Sequence, residues 1–171
     1  NSVNGDISSH LPALFCHTIL QQPKLIVEAG VRGGESTTAF LKALKFCYNV
    51  KLIGLDIECS CASSYPVSTN TQFVCMNDLN FTNYYQNSFM QNSTIDIVFI
   101  DTSHLYQHTL QELKIFEPLL SENGIMMFHD SNVTPLNNNT GYARINGTYG
   151  SASGNTRGVT QALKEYFAIA F

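Results

Sequence analysis

The sequence predicts an α/β fold with a doubly wound, mainly parallel sheet and helices on both faces, its 171 residues (1–171) forming one domain. Three observations carry that expectation. Short aliphatic stretches alternate with segments of helical period along the chain. The stretch Leu25-Ile-Val-Glu28-Ala-Gly30-Val-Arg-Gly33-Gly34-Glu-Ser36-Thr37 passes from three consecutive aliphatic residues through a glycine turn into a helix start. Acids close the aliphatic stretches, at Glu28, Asp56, Asp101 and Asp130. Parallel strands are buried on both faces and read as unbroken apolar runs, and their carboxyl ends are where such sheets hold ligands.

Taken in order, residues 1–9 are polar and predict no packed element. His10 to Leu20 places Leu11, Leu14, Phe15 and Ile19 at helical spacing. After the first strand and its glycines, Ser36 is placed to cap a helix over 37–47 with Phe40, Leu44 and Cys47 as its buried stripe. Lys51 to Ile57 reads as the second strand, and residues 58–71 as a Ser/Thr/Cys-rich loop. Gln72 to Met76 is a short third strand, followed by Asp78 and a helix through Met90. Ile95-Asp-Ile-Val-Phe-Ile is the clearest strand, the fourth, ending in Asp101. A helix follows from Tyr106 to Leu120, in conflict with Pro118 near its end. Gly124 opens a fifth strand, Ile125 to Phe128, closed by His129-Asp130. Residues 131–155 hold six Asn, four Gly and one charge, Arg144, which suggests a mobile lid or substrate loop. The last helix is Gly158 to Phe167.

Composition narrows the partners. Charged residues make up 13% of the chain, about half the usual fraction. The net charge of −4 and a pI near 5.6 give no basic footprint for nucleic acid and no polybasic patch for a membrane, so a small diffusible substrate fits best. No apolar run is long enough to cross a bilayer. The five cysteines (Cys16, Cys47, Cys59, Cys61, Cys75) lack metal-finger spacing and read as reduced thiols, with Cys16, Cys47 and Cys75 buried, which points to the cytoplasm. Five Asn-x-Ser/Thr triplets, at Asn80, Asn92, Asn132, Asn138 and Asn146, carry little weight in a chain so rich in these residues.

The strand–glycine–helix unit suits a nucleotide-like ligand, since glycines admit close backbone approach and helix-start N–H groups face an anion. The dinucleotide fingerprint needs glycine at 30, 32 and 35; Arg32 and Glu35 exclude it, and NAD with it. Asp56, at the end of strand two, is placed to accept hydrogen bonds from ribose hydroxyls, and Asp78 either to lie beside a base or to cap its helix. Three strand-end acids repel unless a cation or donors compensate. Asp101 and Asp130 could jointly hold a hard divalent cation through oxygen, with Asn132 as a third ligand.

The order acid-x-Gly-x-x-x-Gly-x-Ser (Glu28, Gly30, Gly34, Ser36) resembles the first motif of class I S-adenosylmethionine (SAM)-dependent methyltransferases, whose sheet is Rossmann-like. The resemblance implies that this loop wraps the methionine end of SAM, with the Ser36 hydroxyl reaching its carboxylate. The segment Asp101-Thr-Ser-His104, with Phe128-His129-Asp130 further on, sharpens it. Together they resemble the metal-dependent O-methyltransferases of the catechol and macrocin type, a branch that includes cephalosporin-hydroxylase-like proteins. In that branch an Asp ends strand four, a basic residue follows three positions later, and an Asp ends strand five. The match runs from Leu25 to about Asp130.

By that resemblance the cofactor set is Glu28, Gly30, Gly34, Ser36, Asp56, Asp78 and Asp101, and the metal set, for Mg, is Asp101, Asp130 and Asn132. Asp101 and His104 are catalytic, His104 as the general base, a task suited to an imidazole near its ordinary pKa. The family's two further antiparallel strands have only Phe167 to Phe171 to begin them, leaving a sheet edge open to pairing with a second chain. Two rivals remain: a diverged, non-catalytic SAM-binding module, and an oxygenase-like iron site using His104 and His129.

Overall fold

Three consecutive aliphatics need neighbours on both sides, and β1 (Leu25–Ala29) has them: all five of its residues are buried. In the computed structural model, which describes residues 7–88, 90–131 and 158–168, β1 pairs in parallel with β2 (Lys51–Asp56) and with β4 (Ile95–Ile100). Val27 stands opposite Ile53 on one side and Val98 on the other. β3 (Thr71–Cys75) extends the sheet in parallel beyond β2, and β5 (Leu120–Phe128) lies beyond β4, giving the order β3-β2-β1-β4-β5. Strand order therefore reverses between β1 and β4, the switch point at which Rossmann-like sheets bind ligands beyond their carboxyl ends. The helices are α1 (Leu11–Gln21), α2 (Glu35–Leu44), α3 (Phe81–Gln86), α4 (Tyr106–Phe116) and α5 (Gly158–Phe167).

The described residues divide into two compact units. The first comprises Asn1–Ile100 with Leu119–Met127 and holds the sheet, and α1 packs on α2 within it. Its core gathers Leu14, Ile26, Phe40, Leu52, Ile97 and Phe99, the Phe40 and Phe99 rings meeting edge to face at 5.9 Å. Each such side chain contributes about 1.5–3 kcal/mol on burial. At the amino end of the sheet Asp96 is a clamp. Its carboxylate accepts from the N–H groups of Lys24 (2.7 Å) and Leu25 (3.1 Å) and from Ser121 Oγ (2.8 Å), fastening β4 to the strands beside it. The second unit comprises Asp101–Pro118 with Phe128–Phe171; in it α4 packs on α5, and Leu113, Phe116, Val159 and Ala162 of these helices are buried.

Several expectations need correction. Ser36 is not the cap of α2; Gly34 holds that position at φ 81°, and Ser36 turns inward. The loop after β2 forms a 3₁₀ helix, Cys59–Ser64. The third helix stops short of the expected Met90, a 3₁₀ turn at Asp78–Asn80 leading into α3. Pro118 does end α4 early, since it cannot donate to the helix ladder; Glu117–Leu119 is a 3₁₀ turn and β5 starts at once. Gly124 lies inside β5 rather than opening it, because a Cβ there would sit 2.8 Å from the Ile95 carbonyl oxygen. The thiols are not all reduced: Cys59 and Cys75 form a disulfide with their Cα atoms 4.9 Å apart. Cys16 and Cys75 are exposed and Cys47 half-buried, so the reasoning that led to the cytoplasm loses its support. The lid expected over residues 131–155 lies, beyond Ser131, outside the described residues, as do Asn132 and most of the Phe167–Phe171 stretch. No described helix is long and apolar enough to cross a membrane.

Gly54, in the middle of β2 and opposite Glu28, makes room for the Tyr65 ring. A Cβ at that position would lie 2.8 Å from both Tyr65 Cζ and Val31 Cγ2, and the ring is fixed by its packing on Phe73. Gly54→Ala should destabilise the protein by about 1–3 kcal/mol, the usual cost of overpacking. Urea unfolding would check this; an unchanged midpoint would show that the ring has room to give.

Candidate functional site

The first unit carries the glycine loop. Glu28 is wholly buried in β1, a position no carboxylate holds without partners. Ser36 Oγ donates to its Oε1 (2.5 Å) and Thr37 Oγ1 to its Oε2 (2.8 Å), tying the first turn of α2 to the strand across the loop. Asp56, at the end of β2, holds the other flank. Its Oδ2 accepts from the N–H groups of Val31 and Arg32, each at 2.9 Å, and its Oδ1 from Glu58 N–H at 2.8 Å. Gly30 and Gly34 take φ values of 90° and 81° that side chains resist, and Arg32 takes 47°. A Cβ on Gly34 would come 3.0 Å from the Ser64 carbonyl oxygen, so the disulfide-tethered 3₁₀ segment lies directly against the loop.

Glu28, Gly30, Gly34, Ser36 and Asp56 thus come together, but Glu28 and Ser36 are engaged with each other, and Asp56 with the loop backbone. Asp78 is relieved of capping: Asn77 Oδ1 accepts from Leu79 N–H at 2.9 Å instead. Two participants escaped the sequence reading. Thr37 is Glu28's second donor, and only the adjacent hydroxyls at 36 and 37 hint at it. Tyr65 is buried against Val31, and burial, with the charge of Glu28, pushes its phenol far above the ordinary range. Its hydroxyl has no hydrogen-bond partner among the described residues. An orphaned buried hydroxyl beside a glycine loop fits a site completed by a polar ligand.

The second unit carries a cluster of two carboxylates and two imidazoles, one ligating atom of each lying within 4.8 Å of the others. Asp101 directly follows β4, and His129-Asp130 directly follow β5. His104 Nε2 is 3.0 Å from Asp101 Oδ1, and its Nδ1 is 3.7 Å from Asp130 Oδ2. His129 Nδ1 lies 3.3 Å from an oxygen of each aspartate. The helices of this unit hold the loops in place. The buried Glu112 of α4 accepts from Thr102 Oγ1 at 2.5 Å, and Thr160 Oγ1 of α5 donates to the Ser131 carbonyl at 2.6 Å. His104 and Asp130 sit at φ 56° and 49°, a left-handed conformation uncommon outside glycine, in which His, Asp and Asn are the usual exceptions.

The structure brings together Asp101, His104 and Asp130, which the sequence reading had linked, and adds His129, which it had offered only to a rival iron site. In the fold it contacts both acids. Burial opposes charge on Asp101, yet hydrogen bonds from His104 and His129 more than offset it and hold the carboxyl well below its usual range. Burial opposes charge on His129 too, but its hydrogen bonds to Asp101 and Asp130, with their charges, push it up to about 10. The acids are therefore compensated by an imidazolium. Two carboxylates suit a hard divalent ion, whereas imidazoles suit softer ones, so the oxygens of Asp101 and Asp130 are the fitting donors for magnesium.

The raised His129 stabilises the folded state fully below about pH 6.5, its ordinary pKa, and that contribution is lost as pH rises through about 10. The lowered Asp101 contributes above pH 3.8 and less as pH falls below it. Stability followed by urea unfolding should decline from pH 6.5 toward 10, and Asp101→Asn should flatten that limb. A wild-type profile that stays level across this range would refute the pairing.

A family model described as a methyltransferase domain matches residues 27–131. Among solved structures, an O-methyltransferase from Bacillus cereus in complex with SAH aligns at a TM-score of 0.72, with 14% identity over 98% of this chain and 73% of that one. TomG, an O-methyltransferase of tomaymycin synthesis from Streptomyces achromogenes in complex with SAM, aligns at 0.65, with 17% identity over 95% and 70%. MycE, a methyltransferase of the mycinamycin pathway in complex with Mg and SAH, aligns at 0.61, with 19% identity over 98% of this chain and 45% of that one. At such identities these likenesses concern the fold. No protein of curated function matches the sequence. With the matched segment covering well over half the chain, from inside β1 to the residue after Asp130, this protein belongs to the methyltransferase-domain family.

Proposed function

We propose that the chain transfers a methyl group from SAM to a hydroxyl oxygen of a small molecule, with a divalent cation such as magnesium assisting. The observation that carries this reading is the contact between His104 Nε2 and Asp101, a base oriented by a carboxylate immediately after β4. SAM or SAH bound to the Bacillus and Streptomyces neighbours, and Mg with SAH in MycE, support the choice of cofactor and ion.

In this reading each residue takes a role that the geometry supports. Gly30 and Gly34 give the loop its close-approach shape, Glu28 and Ser36 brace it, and Asp56 fixes its amides while offering its remaining lone pairs to ribose hydroxyls. Asp78 and Asp101 complete the cofactor set, and the Tyr65 hydroxyl is the added contact. SAM supplies an already activated methyl group, so the protein's tasks are alignment and removal of the acceptor's proton. In the tautomer that donates Nε2–H to Asp101, Nδ1 of His104 is the basic nitrogen, and Asp130 Oδ2 stands 3.7 Å from it. Asp101 and Asp130 would hold the cation, with Asn132 as a third oxygen ligand, and the ion would lower the pKa of the acceptor hydroxyl. His129 keeps the two acids apart from each other's charge.

A second reading has one observation in its favour: His104, His129 and a carboxylate do gather, as a ferrous oxygenase site requires. Titration with ferrous iron and 2-oxoglutarate, set against SAM, separates the two. SAM binding without transfer to any hydroxyl in a broad acceptor panel would instead favour a module without turnover.

Asp56→Ala should weaken SAM binding by about 1.5–3 kcal/mol, the scale of hydrogen bonds to a charged acceptor. Calorimetry giving no heat with SAM for the wild-type protein would end the proposal. His104→Ala should lower kcat by roughly 10²–10⁴-fold and remove the acid limb of the pH–rate profile. A chelator that leaves activity intact would remove the cation and leave His104 to act alone.

A further inference from the structure

We infer that this chain matures in an oxidising, glycosylating compartment and carries an N-linked glycan on Asn92. Two independent observations meet in this assignment. The first is the Cys59–Cys75 disulfide, whose Cα separation of 4.9 Å needs no backbone shift to accommodate the bridge. Cysteine pairs in reducing compartments are kept as thiols, and structural bridges belong to oxidising ones. Forming it removes two electrons and two protons from the thiols, delivered by thiol–disulfide exchange to an oxidised protein dithiol.

The second observation is where the acceptor triplets fall. Asn92-Ser93-Thr94 is exposed at all three positions, in a turn where Asn92 takes φ 73°, a conformation asparagine tolerates. It precedes β4 at the amino end of the sheet, along a groove lined by Gln22, Lys24, Lys51, Met90 and Asp96. The glycine loop lies at the opposite, carboxyl end of β1. A bulky sugar at Asn92 therefore neither enters the core nor covers that loop. The other described triplet, Asn80-Phe81-Thr82, is also exposed at Asn80 and Thr82 but stands two residues from Asp78, close to the cofactor set. Asn132, Asn138 and Asn146 lie outside the described residues.

The transfer itself joins Asn92 Nδ2 to the anomeric carbon of a pyrophosphate-linked oligosaccharide. The bond from that carbon to the pyrophosphate oxygen breaks, the pyrophosphate leaves with its electron pair, and the amide gives up one proton. The Thr94 hydroxyl is the second element of the recognised triplet.

The test uses the protein purified from its natural source. Digestion without reduction, then peptide-N-glycosidase in heavy-oxygen water, should yield a linked Cys59–Cys75 peptide and an isotope-labelled aspartate at position 92 by mass spectrometry. In cells of that source, Thr94→Ala should abolish the label and the gel shift while leaving Asn92 in its turn and the fold intact. Unmodified Asn92 in the native protein overturns the inference, with or without the disulfide. Cys59 and Cys75 recovered as free, alkylatable thiols overturn it equally.

Discussion

A single buried carboxylate sets the terms for the first unit. Glu28 sits inside the central strand, where an ionised group without partners would cost several kcal/mol. It is tolerated because two hydroxyls reach it from the start of α2. Those bonds fix the distance between strand and helix, and so the span that Gly30 to Gly34 must bridge. Asp56 then takes up the amides that the turn exposes, so the loop is held from both flanks before any ligand arrives. Gly54 and Tyr65 belong to the same device, since the ring lies beside the Glu28 strand only because β2 has no side chain opposite it.

The second unit solves a related problem in another way. Asp101 and Asp130 would repel if both were charged and alone. Two imidazoles lie between them, and the more strongly held, His129, touches both. The two rings lie 6.3 Å apart, His104 against Asp101 and His129 against both acids.

Much of the fold was legible because the strands are buried on both faces, so β1, β2 and β4 announce themselves as apolar runs. The acid that closes each run could be placed at its strand's carboxyl end by counting. What could not be read were contacts between residues distant in sequence. The inward turn of Ser36 depends on Glu28 eight residues earlier, and no capping preference reveals it. The pairing of Cys59 with Cys75 depends on β2 and β3 being neighbours, which spacing alone does not show. Gly124 misled for a similar reason: the glycine that marks a turn in sequence is, in the sheet, one that spares the Ile95 carbonyl. The contact of His129 with Asp101 could not be read either, because Asp101 lies at the end of another strand.

The left-handed backbone at His104 and Asp130 sets a conflict between two selections. At both positions glycine would relax the chain, and at 104 asparagine would as well. Mutants chosen for heat resistance alone would therefore drift toward those residues and lose the imidazole–carboxylate pair. Retaining His104 and Asp130 under such pressure would require screening each round for turnover as well as for melting. The two loops are thus where hardening this protein would collide with the chemistry proposed for it.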